Sequence, residues 1–277
     1  MESKYLPGNI TPELIRELLS EYPQYIPDSL AQLEEARMVL IPESLRELKK
    51  DKEAYLTVHE LAQLTEWKLK HGTFRPSLLQ LVNSNAEKEV IESTMEAFGW
   101  ISKAPRTDRS DDVDRPINRL TKLRGVGPAT ASLILSCYDQ SRFPFFSDEL
   151  YRWLRWDEEK GIGWDRKLKY TKGEYECLYE TVHSDSLGLQ REELEGHNIT
   201  ALELEKAAYV LGKRTQDLKA TKGKKDDNER VSEKRQTLKR RTTEREEPDE
   251  GKPGRVRKSA KSKKPEMRRE GENKCDA

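Results

Sequence analysis

One stretch of the chain, RPINRLTKLRGVGPATASLILSCYD (residues 115–139), has the residue types and spacing of an anion-binding turn. Gly125 and Gly127 tolerate positive φ, and Val126 between them can point inward and anchor the turn. Pro128 then suits the first position of a following helix. Backbone N–H groups and the positive end of that helix would meet at one point, where phosphate is the natural occupant.

The residues before the glycines support the same chemistry. Their four basic side chains have no acid between them and are Arg115, Arg119, Lys122 and Arg124. Apolar residues in this region predict a short amphipathic helix that ends at Arg124, and a second helix from Pro128 with one apolar face. A local basic turn of this kind suits contact with a nucleic-acid backbone.

The segment LRGVGPATAS (residues 123–132) resembles the helix-hairpin-helix motif, in which Gly-apolar-Gly precedes a helix that often contains Thr-Ala. Thr130 and Ala131 match that pair. The helix-hairpin-helix DNA glycosylase superfamily combines this motif with an aspartate further along the chain. Here the segment PFFSDELYRWL places Asp148 at the corresponding point. The chain is therefore similar to this superfamily over about residues 115–154.

The resemblance implies an all-α domain that grips a phosphate of double-stranded DNA through the hairpin amides. It also implies a monovalent cation held by hairpin carbonyls. Asp148 would be the catalytic carboxylate, which stabilises an oxocarbenium-like sugar or activates a water. The residues expected to contact DNA are Lys122, Arg124, Gly125, Val126, Gly127, Ala129 and Thr130.

The chain departs from part of the family. Bifunctional members carry a lysine where this chain has Ala129, so the resemblance implies that Schiff-base lyase chemistry is absent. The cysteine cluster of some members is missing, and the four histidines show no ligand spacing. We expect a monofunctional glycosylase without a metal cluster, and with no cofactor besides the monovalent cation at the hairpin, or a member that has lost catalysis.

Asp148 also has a purely structural interpretation. Ser147 is a good N-cap, and Asp148 and Glu149 would complement the dipole of a new helix. Both interpretations stay open at this point.

Two further sets of residues have a functional and a structural interpretation. Aromatic side chains that could hold a flipped base, or form the core, are Trp67, Tyr138, Phe145, Phe146 and Trp153. Basic side chains that could form a second DNA contact, or a solvated helix face, are Lys68, Lys70 and Arg75.

The elements that must position these residues are predicted to be helices. Residues 1–212 contain many helix-start signals and few alternating strand patterns, which predicts an all-α body. Residues 102–114 are predicted to form a surface loop that ends in a helix cap just before Pro116. Gly212 is predicted to end the last helix. Cap signals open helices at Thr11, Thr57, Ser84, Thr171 and Thr200.

The charge of the chain divides at the same boundary. The whole chain carries 51 basic and 51 acidic residues, but residues 213–277 hold 23 and 14, a net charge of +9. Residues 1–212 therefore hold 28 and 37, a net charge of −9. The tail, residues 213–277, has no aromatic residue and is predicted to be disordered. Its basic clusters at residues 239–241 and 255–264 predict binding to a nuclear import receptor, or a nucleic-acid tether.

These features favour a nuclear DNA-binding protein of the DNA glycosylase-like class, with base excision by Asp148 as an added activity. No apolar run is long enough to cross a membrane, so no membrane partner is expected. The alternative is a non-catalytic scaffold of chromatin or repair complexes, whose helical body binds and whose tail recruits partners.

Overall fold

A computed structural model of the chain describes residues 1–50, 53–72, 75–103, 105–156, 163–184 and 199–218. All of these residues belong to one unit of the chain, Met1–Gly223. They form helices joined by turns, with no strand among them, which confirms the predicted all-α fold. The predicted disorder of the tail is wrong for residues 213–218, which are helical, and the rest of the tail with its two basic clusters lies outside the described residues.

The helices are numbered in chain order. Helices α1 to α10 are Pro12–Glu21, Ala31–Glu35, Ile41–Lys50, Val58–His71, Pro76–Asn83, Glu87–Lys103, Asp111–Leu120, Pro128–Tyr138, Asp148–Leu154 and Lys172–Val182. Helix α11 covers residues 201–218. A π-helix, Ala36–Leu40, joins α2 to α3. Short 3-10 helices cover Ser3–Tyr5, Tyr22–Tyr25, Asp28–Leu30 and Gly163–Asp165.

Most helix starts have the caps that the sequence predicts. The Thr11 hydroxyl accepts a hydrogen bond from the Leu14 N–H ahead of α1. Three helices begin with a capping box, in which the threonine hydroxyl accepts one N–H and the glutamate carboxylate accepts the threonine N–H. These boxes are Thr57 with Glu60, Thr171 with Glu174, and Thr200 with Glu203.

Several predicted helix boundaries are wrong. Ser84 does not cap α6, because its hydroxyl donates to the Leu81 carbonyl at the end of α5, and α6 begins at Glu87. Gly212 does not end α11, which continues to residue 218. A Cβ at Gly212 would lie 2.7 Å from Cγ of Glu149. The glycine is therefore required by close packing of α11 on α9 rather than by a helix end.

Helix α7 begins and ends earlier than predicted. It starts at Asp111, inside the predicted loop, rather than just before Pro116. It ends at Leu120 rather than at Arg124, and the residues that follow form turns.

The early start of α7 has a clear cause in Asp112. Its carboxylate accepts hydrogen bonds from the N–H groups of Thr107 and Asp108, at 3.0 and 2.8 Å. It also forms a 2.7 Å ion pair with Arg142, and both side chains are almost fully buried. The ion pair involves a distant residue, so the local sequence does not predict it.

Helix α8 lies at the centre of the described fold. Every residue from Ala129 to Tyr138 is buried, so the helix is enclosed on all sides rather than on the one face predicted. It contacts α3, α4, α7 and α10. Its serines are satisfied locally, since Ser132 and Ser136 donate to the carbonyls of Ala129 and Leu133.

A buried ion pair connects the π-helix to α11. The Arg37 guanidinium donates to both carboxylate oxygens of Glu205, and neither residue is more than 1% exposed. Arg37 also lies 3.9 Å from the ring centre of Trp67 in α4. Burial alone would lower the pKa of Arg37, but the Glu205 carboxylate raises it above its ordinary value. Removal of either charge from such a pair typically costs about 3–5 kcal/mol, so the pair holds these elements together.

Candidate functional site

The glycine turn, Gly125–Gly127, precedes α8 directly. Gly125 has φ +77°, a conformation that favours glycine, and Val126 is buried as predicted. Gly127 has φ −98° and ψ 180°, an ordinary extended conformation at the N-cap of α8. Pro128 occupies the first helical position, as predicted. Positive φ was considered for both glycines, but only Gly125 adopts it.

Contacts with α5 and with Asn85 hold the turn in place. A Cβ at Gly125 would lie 2.9 Å from Cγ2 of Val82 and 3.0 Å from the carbonyl oxygen of Leu78. The Asn85 side chain donates to the Arg124 carbonyl at 2.9 Å and accepts from the Arg124 N–H at 2.8 Å. Sequence reasoning missed Asn85, which lies 39 residues before its partner.

The turn leaves two backbone donors free at the start of α8. Among the described residues, the N–H groups of Gly127 and Ala129 have no hydrogen-bond acceptor. Pro128 between them has no N–H. The helix dipole adds partial positive charge at this end, so the arrangement is suited to an anion.

A cavity of about 610 Å³ opens beside these amides. Of the eight residues predicted to contact DNA or to be catalytic, five are in its wall: Gly125, Gly127, Ala129, Thr130 and Asp148. Three others are not. Val126 is buried in the core, and Lys122 and Arg124 are exposed outside the cavity.

The cavity is more basic than the rest of the body. Its two carboxylates belong to Asp148 and Glu149. Its five cationic side chains are Lys68, Arg75, Arg152, Lys169 and Lys213. Since residues 1–212 carry a net charge of −9, this concentration of positive charge favours an anionic ligand at this one place.

Two side chains hold Asp148 at the cavity wall. The Tyr170 hydroxyl donates to one carboxylate oxygen at 2.5 Å, and Arg152 forms a 3.1 Å ion pair with the other. Ser147 caps α9, because its hydroxyl accepts the Leu150 N–H at 3.2 Å. Capping is therefore supplied by Ser147, and the Asp148 carboxylate bonds with other cavity residues.

Tyr170 is in a strained conformation. Its φ of +56° is uncommon for a residue with a bulky side chain. The Arg75 guanidinium lies 5.6 Å from its ring centre. Burial, with the hydrogen bond to Asp148, raises the pKa of Tyr170 above its ordinary value, so the hydroxyl remains a donor. Such strain persists only where surrounding contacts enforce it.

Glu149 supplies a second carboxyl group to the cavity, and its pKa is raised above the ordinary value. Burial raises the pKa of Glu149, and the neighbouring charge of Asp148 adds to the effect. Its side chain packs against Gly212 in α11. A carboxyl group that keeps its proton closer to neutral pH is suited to general acid catalysis.

Lys68 reaches the cavity from α4. Its Nζ donates to the Thr130 hydroxyl oxygen, 3.0 Å away in the first turn of α8. Burial and then the charge of Arg75 lower the pKa of Lys68 to about 8, although Asp148 opposes the shift. Lys70, which the sequence grouped with it, forms an ion pair outside the cavity.

His71 also lines the cavity. Its ring is stacked between Trp67 and Tyr209, with centroid distances of 4.4 and 4.1 Å. Its Nε2 has no hydrogen-bond partner among the described residues. Burial lowers the pKa of His71 well below its ordinary value, so the imidazole is neutral. This Nε2 is buried as well as unpartnered among the described residues.

The aromatic candidates divide into two groups. Phe145 and Phe146 line the cavity, although they are only 4% and 1% exposed and also belong to the core. Trp67, Tyr138 and Trp153 are buried elsewhere in the core.

Comparison with family models, with curated proteins and with solved structures returns no match to this chain. The described residues contain no group of three or more His, Cys, Asp or Glu side chains that could hold a metal ion. No helix among them is both long and apolar enough to cross a membrane. The groups that the cavity offers for chemistry are amides, amines, guanidinium groups, carboxyls, hydroxyls, an imidazole and a phenol.

The two glycines of the turn should differ in their tolerance of alanine. Gly125→Ala is expected to lower the free energy of unfolding by about 2–4 kcal/mol, because it combines positive φ with overpacking against α5. Gly127→Ala meets no atom within 4 Å and should cost less than about 1 kcal/mol. Urea unfolding followed by circular dichroism measures both; equal losses would contradict this geometry.

The pKa of Lys68 should respond to its two charged neighbours in opposite directions. The ¹³Cε signal of Lys68, assigned by its loss in Lys68→Gln, is expected to titrate with a midpoint of about 8. Asp148→Asn removes a charge that favours the ammonium, so the midpoint should fall. Arg75→Gln removes a repelling charge, so it should rise. A midpoint that rises in Asp148→Asn, or falls in Arg75→Gln, would contradict the charge interactions described for Lys68.

Proposed function

We propose that the chain binds double-stranded DNA through the glycine turn, and that the adjacent cavity receives a flipped nucleotide whose base is excised with Asp148 as the catalytic carboxylate. One observation carries the proposal: a single cavity joins the two free amides of α8 to Asp148. The resemblance of residues 115–154 to the helix-hairpin-helix DNA glycosylases agrees with it.

The first part of the proposal is phosphate binding. The Gly127 and Ala129 N–H groups would donate to phosphate oxygens, and Lys169, Arg75 and Lys213 would add charge around the DNA backbone. A monovalent cation at the hairpin carbonyls stays a prediction. In this proposal the +9 tail supplies long-range attraction to DNA and directs the protein to the nucleus.

The second part is entry of a base. A volume of about 610 Å³ falls within the range of small-molecule sites, so a single nucleotide fits. Phe145 and Phe146, which are nearly buried at the cavity wall, would supply apolar surface against the base.

The third part is the chemistry. As the bond from the base to the sugar breaks, positive charge develops on the sugar, and a fixed carboxylate stabilises it. Tyr170 and Arg152 would keep Asp148 in one orientation for this role. Glu149, whose pKa is raised, would donate a proton to the departing base.

A DNA-binding protein without excision activity is the second candidate. The observation that favours it is that both Asp148 oxygens already have partners, Tyr170 and Arg152. A carboxylate so engaged is a weaker electrostatic partner for a sugar cation unless one of those partners moves.

The Asp148→Asn variant separates these functions. Excision should fall at least about 100-fold, because the substitution removes the charge that stabilises the transition state. The assay measures abasic-site formation across duplexes with different damaged or mismatched bases, and fluorescence anisotropy measures affinity for the same duplexes. Asp28→Asn, an exposed aspartate that does not line the cavity, is the matched control and should behave as wild type.

Three outcomes are distinct. Abasic sites that depend on Asp148 support excision. Binding without abasic sites across the panel leaves only the second candidate. If wild-type protein fails to bind any duplex, DNA binding itself is rejected.

A further inference from the structure

Trp100, near the end of α6, is a partly exposed aromatic side chain that does not line the α8 cavity. Two smaller hollows lie where α6 packs on α7, with volumes of about 270 and 240 Å³, and Trp100 and Arg115 line both. The buried Trp67 and Trp153 donate their indole N–H groups to other residues. Trp100 has no hydrogen-bond acceptor and no stacked ring among the described residues. Its indole is therefore open to a ligand in these hollows.

The larger hollow, which we call the Trp100 hollow, combines this indole with three cationic side chains and no carboxylate. The cations are Arg115, Arg119 and Lys122, and their spacing of i, i+4 and i+7 places them on one face of α7 and the turn that follows. Asn118 completes the lining with a polar amide. An anionic ligand that carries a flat ring therefore matches both parts of this lining.

Two of these cations are not neutralised by neighbouring carboxylates. Arg115 and Lys122 are exposed and form no ion pair within the part of the chain that the structure describes. Two nearby carboxylates already have partners, since Glu96 pairs with the third cation of the hollow and Asp114 pairs with Lys172. The positive charge of the hollow is therefore left for a ligand to neutralise.

The lining suits an unpaired nucleotide better than an acidic peptide. A nucleotide presents a flat base to the indole and a phosphate to the cations, the combination by which proteins hold single strands. In a duplex the faces of each base are covered by the neighbouring pairs, so an indole on a helix surface reaches a base only in an unpaired strand. The Trp100 hollow has no aliphatic residue in its lining to receive an apolar anchor of a peptide.

The lining also favours DNA over RNA. Arginine, lysine and tryptophan side chains are donors, so the Asn118 amide oxygen is the one side-chain acceptor in the Trp100 hollow. Lys172 already donates to that oxygen, at 3.4 Å. A ribose 2′-hydroxyl would need such an acceptor for its proton, whereas deoxyribose does not.

We propose that the Trp100 hollow binds single-stranded DNA, with the indole stacked on one unpaired base and with Arg115 and Lys122 against the adjoining phosphates. This inference goes beyond the proposed function and does not rest on it, because no residue of the hollow lines the α8 cavity. The smaller hollow is less suited to an anion, since Asp111 and Asp112 are in its lining.

Fluorescence anisotropy of the full chain with a labelled oligothymidine of about 12 nucleotides tests the proposal. Trp100→Ala should weaken binding at least about 5-fold through the loss of one base stack, whereas Trp100→Phe keeps a ring and should stay within about 2-fold of wild type. Arg115→Gln should weaken binding and reduce the salt slope by about 0.7. Arg46→Gln, an exposed helical arginine that lines neither the hollow nor the cavity, is the matched control and should bind within about 2-fold of wild type.

Photocross-linking locates the contact in the wild-type protein, so it does not depend on the folding of any variant. The oligonucleotide carries 5-iodouracil in place of thymine, and peptide mass spectrometry maps the adducts after irradiation. We expect the principal adduct at Trp100, and none there when the same strand is in a duplex. Adducts confined to Phe145, Phe146 or Tyr170 of the cavity, or to residues 213–277, would overturn the proposal.

The remaining outcomes separate this proposal from the proposed function. Wild-type protein that fails to bind oligothymidine, or binds oligouridine more tightly, overturns the single-stranded DNA site whatever its affinity for duplex. Equal affinity for an oligoglutamate, lost to the same extent in Trp100→Ala, would identify a peptide surface and overturn it as well. Oligothymidine binding with the Trp100 adduct, in a protein that binds no duplex, supports this site and rejects the proposed function.

Discussion

The complete burial of α8 is the constraint on which the rest of the site depends. Because every residue from Ala129 to Tyr138 is buried, this helix cannot turn or slide without disturbing α3, α4, α7 and α10. Its first amides are therefore fixed in the wall of the cavity. Gly125 and Asn85 hold the preceding turn against α5, so both sides of the free N–H groups are anchored. A binding site made of backbone atoms needs this rigidity, since no side-chain rotamer can correct its position.

Charge has different roles in the core and in the cavity. In the core, Arg37 is paired with Glu205 and Arg142 with Asp112, so each buried cation has a carboxylate partner that offsets its desolvation. In the cavity, five cationic side chains meet two carboxylates. Lys68 donates a hydrogen bond to a hydroxyl and not to a carboxylate. Its ammonium form is therefore stabilised less, and burial lowers the pKa of Lys68. The core charges thus fix the fold, whereas the cavity charges favour an anionic ligand.

Local signals predicted the helices well, and they failed where distant contacts decide the structure. Thr57 and Thr171 cap their helices because every atom of a capping box lies within a few residues. The early start of α7 could not be predicted, since Asp112 is held by Arg142 from a later segment. The turn and Asp148 were recognisable from their residues, but Lys68 and Tyr170 join them only through tertiary packing. The sequence suggested Lys68 only as a basic side chain that could contact DNA, and nothing in it indicates that Lys68 reaches Thr130 or that Tyr170 adopts a positive φ and bonds with Asp148.

The central claim is that the free amides of α8 bind a DNA phosphate. Amide NMR of the ¹⁵N-labelled full chain, titrated with duplex DNA, tests it most directly. The account predicts that the Gly127 and Ala129 resonances shift among the first and most strongly, because hydrogen bonding to a phosphate oxygen changes the environment of these two N–H groups. Duplex binding that moves only resonances of residues 213–277, and leaves Gly127 and Ala129 unchanged, would contradict it.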